Sequence, residues 1–270
     1  MLSDGWDQPT IDHLTRCGLR VLEEYPDVAI AFMSGSLIEG FGNSTSDLDI
    51  FLIDDEFVRP SGKAALQSDQ GDFVVDVDYV DDVRTDTEIW RTSRVVAAAE
   101  EIRSCDPLDW RAVVQLAQAP LELAHRIRTG VPLRGAQDFE ELRLMFDYPR
   151  LAAILAQRFM QDYSEHSEDC VGAIHARDAG AALLNSRRAL AAAADALCAS
   201  HGHTNGKEKW RLHRMGAVSS QNAQRYIAAE LDASAEPYAL LSGARDRLRL
   251  AADFAAETSY RLGKRLWQPA

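Results

Sequence analysis

The stretch MSGSLIEGFGNSTSDLDIFLI, residues 33–53, decides how this chain folds. It leaves an apolar run at Gly35-Ser36, crosses a loop rich in Gly, Asn, Ser and Thr, and enters a second apolar run that carries Asp47 and Asp49. Aspartate disfavours strands, and burying one unpaired costs free energy. Alternate residues of a strand point to the same face, where two carboxylates repel each other unless a cation lies between them. The pair therefore predicts a hard divalent cation such as Mg²⁺.

Short apolar runs on both sides of this loop predict a small sheet. VAIAFM (28–33) and LDIFLI (48–53) are continuous and apolar, as buried strands are. DFVVDVDYV (72–80) alternates between two faces and predicts a third strand. After this strand the sequence pattern changes. TEIWRTSRVVAAAEEIR (87–103) has helical periodicity, and so has nearly every residue after about 137. TGVPLRG, which lies between these segments, is predicted to be a turn.

This division predicts an α+β protein with two domains. A small mixed β-sheet domain is expected at residues 1–120, followed by an all-α helical bundle domain at residues 121–270. The boundary is expected somewhere between about 105 and 140, where the mixed α/β pattern gives way to helix alone.

Composition narrows the classes of function. The chain of 270 residues is 46% hydrophobic and 26% charged, with a formal net charge of −13, which argues against a general binder of nucleic-acid backbones. No apolar run is long enough to predict a membrane helix, and no signal peptide is recognisable, so a cytoplasmic location is expected. The four cysteines have no metal-ligand spacing and are predicted to be buried free thiols.

Gly35 and Ser36 predict a phosphate site beside the aspartates. A glycine directly after a strand lets the backbone approach an anion without a Cβ in the way. If LIEGF (37–41) opens a short helix, its N-terminal amides and the Ser36 hydroxyl point at the same anion. On the next strand, Asp76 could complete a group of three carboxylates that holds two metal ions, provided that the strands are neighbours.

Residues 28–80 resemble the polymerase β-like nucleotidyltransferase superfamily in the order and spacing of these motifs, and in particular its small-molecule, antibiotic-modifying members with a helical C-terminal domain. The resemblance implies two Mg²⁺ ions, a nucleoside triphosphate donor such as ATP, and release of pyrophosphate. It implies that Asp47 and Asp49 are catalytic metal ligands. It also implies a third carboxylate near the acceptor hydroxyl, for which Asp76 is the first candidate and Asp78 the alternative.

One basic segment of the helical region stands out in this acidic chain. NGKEKWRLHRM (205–215) is similar to the helix with which other small-molecule nucleotidyltransferases hold the triphosphate. Lys209, directly before Trp210, is the first candidate for that contact. The alternative is a solvated basic face with Trp210 in the core.

Three functions remain open at this stage. The first is transfer of a nucleoside monophosphate to a hydroxyl of a small acceptor, and an acidic protein suits a cationic acceptor such as an aminoglycoside. The second is an antitoxin-type nucleotidyltransferase that modifies or binds a protein partner. The third is a synthase of oligonucleotides or second messengers. The expected partners are thus a nucleoside triphosphate and a small hydroxylated acceptor, with nucleic acid and membrane disfavoured.

Overall fold

The computed structural model describes residues 8–43, 45–55, 65–67, 73–231 and 237–266. The chain forms two compact units. The sheet unit comprises Met1–Ser104 and Ala117–Asp147, and the helical unit comprises Cys105–Leu116 and Tyr148–Ala270. This division differs from the expected boundary at residue 120, because residues 121–147 include a strand of the sheet.

The sheet unit is built on a mixed sheet. Its strands among the described residues are β1 (Ile30–Ser34), β2 (Leu48–Asp54), β3 (Ala65–Gln67), β4 (Phe73–Val80), β5 (Val83–Arg91) and β6 (Val131–Arg134). Their spatial order is β3-β4-β5-β2-β1-β6. β5 runs parallel to β2, and the other neighbouring pairs are antiparallel. The parallel pair lies at the centre of the sheet.

Two of these strands differ from the sequence-based expectation. β5 includes residues 87–91, which were predicted to be helical, and β6 replaces the predicted turn TGVPLRG. In β5, Thr85, Thr87 and Ile89 are buried on one face and alternate with polar residues on the other. Such alternation of β-branched residues favours a strand. β6 pairs with β1, a strand that lies far from it in the sequence.

Helices cover both faces of the sheet. The helices of the sheet unit are α1 (Gln8–Val21), α2 (Thr92–Ser104), α4 (Gln118–Thr129) and α5 (Ala136–Leu144). α1 packs its apolar stripe against one face, where Leu14 and Cys17 join Met33 and Ile50 in a buried cluster. On the opposite face, Phe32 of β1 contacts Phe139 of α5, with ring centres 4.7 Å apart. The two faces of the sheet are therefore covered by different helices and lined by different side chains.

The helical unit is all-α in its described residues. Its helices are α3 (Trp110–Gln115), α6 (Tyr148–Ala176), α7 (Ala179–Ser200), α8 (Arg211–Val218), α9 (Ser220–Leu231) and α10 (Pro237–Leu266). Small residues let the long helices approach closely, and alanines fill much of the buried face of α7. The α+β class predicted from the sequence is confirmed.

The thiols and the hydropathy of the helices also follow the sequence. Cys17, Cys105, Cys170 and Cys198 are buried and free, as predicted. Within the described residues, every helix is too short or too polar to cross a bilayer.

Candidate active site

The strand register brings three aspartates to one face of the sheet. Asp49 of β2 lies opposite Asp86 of β5, and cross-strand partners point to the same side. Asp47 precedes β2 and is two residues from Asp49, so it belongs to that side too. The face is the one covered by α4 and α5, because Phe51, two residues after Asp49, stacks on Phe32.

The same register sends Asp76 to the other face, contrary to the expectation that it joins Asp47 and Asp49. Asp76 of β4 pairs with Thr87, the residue after Asp86, and neighbours along a strand point to opposite sides. Its side chain is 4% exposed and accepts a 2.9 Å hydrogen bond from the Tyr25 hydroxyl, next to α1. Asp78, the alternative, shares the face of Asp76. Neither carboxylate reaches the aspartate pair, and Asp86 takes the position that Asp76 was expected to fill.

Asp86 has one basic neighbour, Arg84, and one acidic neighbour, Asp47. Arg84 donates two hydrogen bonds of 2.9 Å to its carboxylate oxygens from the same strand. Burial raises the pKa of Asp86, Arg84 opposes that shift, and the charge of Asp47 and a hydrogen bond with it raise the pKa further. Two carboxyl groups in hydrogen-bonding contact need a shared proton or a cation. This pair therefore has the electrostatic character of a cation site.

The turn after β1 is built around the Asp49 carboxylate. Gly35 has a φ of +89°, and a Cβ there would collide with the Asp49 carboxylate and lie 3.0 Å from Nη1 of Arg126. Glycine is therefore required at this position. Residues 36–40 form turns rather than the short helix that was expected, and the amides of Phe41 and Gly42 donate to the Ser36 carbonyl. Gly35 thus lies directly against the Asp49 carboxylate, and Ser36 follows it in the turn.

A fourth acidic side chain extends the same face. Glu88 follows Asp86 by two residues and lies opposite Phe51 in the register. Burial raises its pKa to about 7, Asp49 and Glu122 add to the shift, and a 3.1 Å hydrogen bond from the Trp90 indole and the charge of Arg126 oppose it. Glu88 can therefore exchange a proton near neutral pH.

The donor set of this face fits Mg²⁺. Asp47, Asp49 and Asp86 offer hard carboxylate oxygens on one side of the sheet, the ligand type that Mg²⁺ prefers. Within the described residues, no three His, Cys, Asp or Glu side chains converge closely enough to hold a metal ion. Instead, Asp86 binds Arg84 and Asp49 lies near Arg126. Gathering the three carboxylates around an ion requires side-chain rotation away from these arginines.

Lys209, the predicted triphosphate contact, belongs to the helical unit. It is exposed in a short 3-10 turn before α8, with Nζ 5.0 Å from the centre of the Trp210 ring. Two neighbouring basic residues have a structural role, since Arg211 and Arg214 are buried and both bind Asp195 of α7. The role of Lys209 stays a prediction.

Three residues of the site were missed in the sequence. Asp86 and Glu88 lie in a strand that was interpreted partly as helix, and the alternation of Thr85, Thr87 and Ile89 was the signal that could have revealed them. Arg126 lies on α4, and nothing local in its sequence indicates a contact with Asp49. Only the packed fold places it there.

Comparison with known proteins identifies the fold. No protein-family model and no curated protein matches the chain. Among solved structures, it is similar to a nucleotidyltransferase-like protein from Exiguobacterium sibiricum 255-15, with 10% sequence identity and a TM-score of 0.51. The comparison covers 94% of this chain and 78% of that chain. This chain therefore has the fold of a nucleotidyltransferase-like protein.

Proposed function

We propose that this protein is a Mg²⁺-dependent nucleotidyltransferase that transfers a nucleoside monophosphate from a nucleoside triphosphate to a hydroxyl of a small acceptor. The observation that carries the proposal is the shared face of Asp47, Asp49 and Asp86 beside the Gly35-Ser36 turn. Carboxylates that hold a divalent cation next to a close backbone approach form a site for a metal-bound polyphosphate.

Each residue of the site has its own proposed role in the reaction. Asp47, Asp49 and Asp86 would hold Mg²⁺, which when bound neutralises the phosphates and lowers the pKa of a coordinated hydroxyl. Gly35 and Ser36 bind the β- and γ-phosphates. The acceptor oxygen forms a bond to the α-phosphorus, the bond between that phosphorus and the bridging oxygen breaks, and pyrophosphate leaves. Asp86, on the same side of the sheet as Asp49, is the proposed acceptor of the hydroxyl proton.

The acceptor is proposed to be a hydroxylated cation of the aminoglycoside type. Glu88 lies near Asp49, Glu122 lies near Glu88, and both supply carboxyl groups beyond the three proposed metal ligands. The chain as a whole carries a formal net charge of −13. Acidic clefts concentrate cationic ligands, and carboxylates can bind the ammonium groups of such an acceptor.

The testing experiment follows pyrophosphate release with each of the four nucleoside triphosphates, Mg²⁺ and a panel of aminoglycosides and neutral sugars. Acceptor-dependent release that disappears in Asp49→Asn supports the proposal. Labelling of protein instead supports an antitoxin-type function, and oligonucleotide products support a synthase. Absence of nucleotide transfer to any of these acceptors, together with absence of Mg²⁺-dependent nucleotide binding, would refute it.

Lys209 of the helical unit is proposed separately, as a residue that binds a phosphate group. It is an exposed cation next to an aromatic ring, so its removal leaves the core of the helical unit intact. Lys209→Gln is expected to weaken nucleotide binding about tenfold, as loss of one charge-assisted contact does, while the melting temperature stays unchanged. Unchanged nucleotide affinity would contradict this role of Lys209.

A further inference from the structure

Arg126 brings a positive charge into the carboxylate face. It extends from the last turn of α4, and its Nη1 lies 3.7 Å from Oδ2 of Asp49 and 3.9 Å from Oε1 of Glu39. It also lies close enough to Glu88 to lower the pKa of that carboxyl. The Arg126 side chain is only 17% exposed, so water screens these charges weakly.

The contact between Arg126 and Asp49 is loose. A charge-assisted N–H···O bond is about 2.7–2.9 Å long, and 3.7 Å exceeds that range. The buried pair in the helical unit provides the contrast, because Arg211 donates to both oxygens of Asp195 at 3.0 and 2.8 Å. Arg126 therefore acts on Asp49 through its charge, and little geometry is lost when the two separate.

The position of Arg126 overlaps with that of the ligands. A Cβ on Gly35 would lie 3.0 Å from Nη1 of Arg126, so the guanidinium borders the turn that is proposed to bind phosphate. It faces the carboxylate that is proposed to hold a metal ion. Two cations cannot approach one carboxylate oxygen without strong mutual repulsion.

We propose that Arg126 is the built-in counter-ion of Asp49 and that a divalent cation must displace it in order to bind. This inference rests on the proposed function, since it assumes that Asp49 is a metal ligand. In the metal-free protein, Arg126 offsets the repulsion among Glu39, Asp49 and Glu88. The metal affinity of the free protein is therefore lower than the carboxylates alone would give.

The test measures Mn²⁺ binding to the full chain without nucleotide, by the loss of the free-ion EPR signal. Arg126→Gln is expected to bind Mn²⁺ about tenfold more tightly than the wild type, within the range of about 5–150-fold that coupled sites show. The matched control is Arg128→Gln, which removes the same charge from an exposed position of the same helix. The control is expected to stay within about twofold of the wild type. Equal or weaker binding by Arg126→Gln would overturn the inference.

A second measurement uses the wild-type protein, so it does not depend on the folding of a variant. The Nε–H NMR resonance of Arg126, assigned with Arg126→Lys, is expected to shift when Mg²⁺ is added and to stay in place in Asp49→Asn. A resonance that does not move while Mg²⁺ binds would overturn the displacement.

These outcomes separate the two proposals. If Mn²⁺ binds to the wild type, is lost in Asp49→Asn and is unaffected by Arg126→Gln, the proposed function stands and the counter-ion role fails. If neither the wild type nor Arg126→Gln binds Mn²⁺ without nucleotide, the counter-ion role fails, and the pyrophosphate-release experiment alone decides the proposed function.

Discussion

Asp49 and Asp86 are register partners on the parallel strands β2 and β5, and their side chains point to the same face of the sheet. Asp76 lies on the next strand, β4, but points to the opposite face, where it accepts a hydrogen bond from Tyr25. β4 and β5 thus lie side by side and both carry aspartates, but Asp76 and Asp86 have separate roles. One aspartate belongs to the candidate site, and the other belongs to the packing of α1 against the sheet.

This separation predicts different outcomes for two matched substitutions. Asp86→Asn is expected to lower nucleotide transfer at least about a hundredfold, because a lost metal ligand removes several kcal/mol of transition-state stabilisation. Asp76→Asn is expected to keep transfer within a few-fold and to lower the free energy of unfolding by about 1–2 kcal/mol, since it disturbs the buried hydrogen bond from the Tyr25 hydroxyl. Pyrophosphate release and urea unfolding of both variants measure the difference. Loss of transfer in Asp76→Asn, with transfer retained in Asp86→Asn, would show that Asp76 of β4 is the third carboxylate of the site.

Gly35→Ala is expected to damage both stability and nucleotide binding. A left-handed backbone costs a residue with a Cβ about 1–2 kcal/mol, and the new methyl group would displace the Asp49 carboxylate. Gly172→Ala is the control, because it lies on an exposed face of α6 with open space around its Cβ position. That change is expected to raise the free energy of unfolding by about 0.5–1 kcal/mol. Isothermal titration with nucleotide and urea unfolding measure both effects, and wild-type nucleotide affinity in Gly35→Ala would contradict the role of the turn.

The sequence sufficed to predict β1 and β2, because their apolar runs are continuous, and to place Gly35 directly after β1. The short helix expected after Ser36 was wrong, since residues 36–40 form turns. The sequence did not suffice to place the third carboxylate, because the candidates were Asp76 and Asp78 and the fold brings Asp86 to Asp49 instead. Asp76 and Asp86 both lie in alternating segments, and the face of each depends on which strands pair. β2 pairs with β5 across a long intervening segment, and such non-local pairing has no local signature.

The end of β5 shows a second limit of sequence patterns. β5 ends at Arg91 and α2 begins at Thr92, with neither glycine nor proline between them. The helical periodicity of α2 therefore continues in the sequence without a break from the last part of the strand. The pattern therefore predicts helix at Glu88, whose position beside Asp49 appears only in the folded sheet.

Glu88→Gln is expected to change how stability depends on pH. The pKa of Glu88 rises from 4.5 to about 7 on folding, so the folded protein keeps a proton that the unfolded chain releases. The free energy of unfolding therefore falls as pH rises through this window, on the order of 3 kcal/mol in total, and is independent of this group below it. Glu88→Gln removes that fall. Urea unfolding in EDTA between about pH 4.5 and about pH 7.5 measures it.

The control for this prediction is Glu140→Gln, an exposed carboxylate on α5 that pairs with Arg143. Its pH profile is expected to follow that of the wild type. Profiles of Glu88→Gln and wild type that run parallel would show that Glu88 is ionised in both states.

Asp195 is expected to be the most important charged residue for the stability of the helical unit. It is 4% exposed and binds both Arg211 and Arg214, so its neutralisation leaves two buried guanidiniums without their shared partner. Removing one member of a buried ion pair costs about 3–5 kcal/mol. Asp195→Asn, which preserves the shape of the side chain, is therefore expected to lower the free energy of unfolding by about that amount.

A matched pair in the same unit provides the control. Asp246 and Arg249 form an ion pair on α10 with 61% and 77% of their side chains exposed, so Asp246→Asn is expected to cost less than about 1 kcal/mol. Urea unfolding followed by tryptophan fluorescence compares the two variants, because Trp210 lies directly before α8, which carries both arginines. If both variants lose a similar free energy of unfolding, the buried ion pairs of Asp195 contribute no more than a surface ion pair. That result would contradict the expected penalty for leaving a buried charge uncompensated.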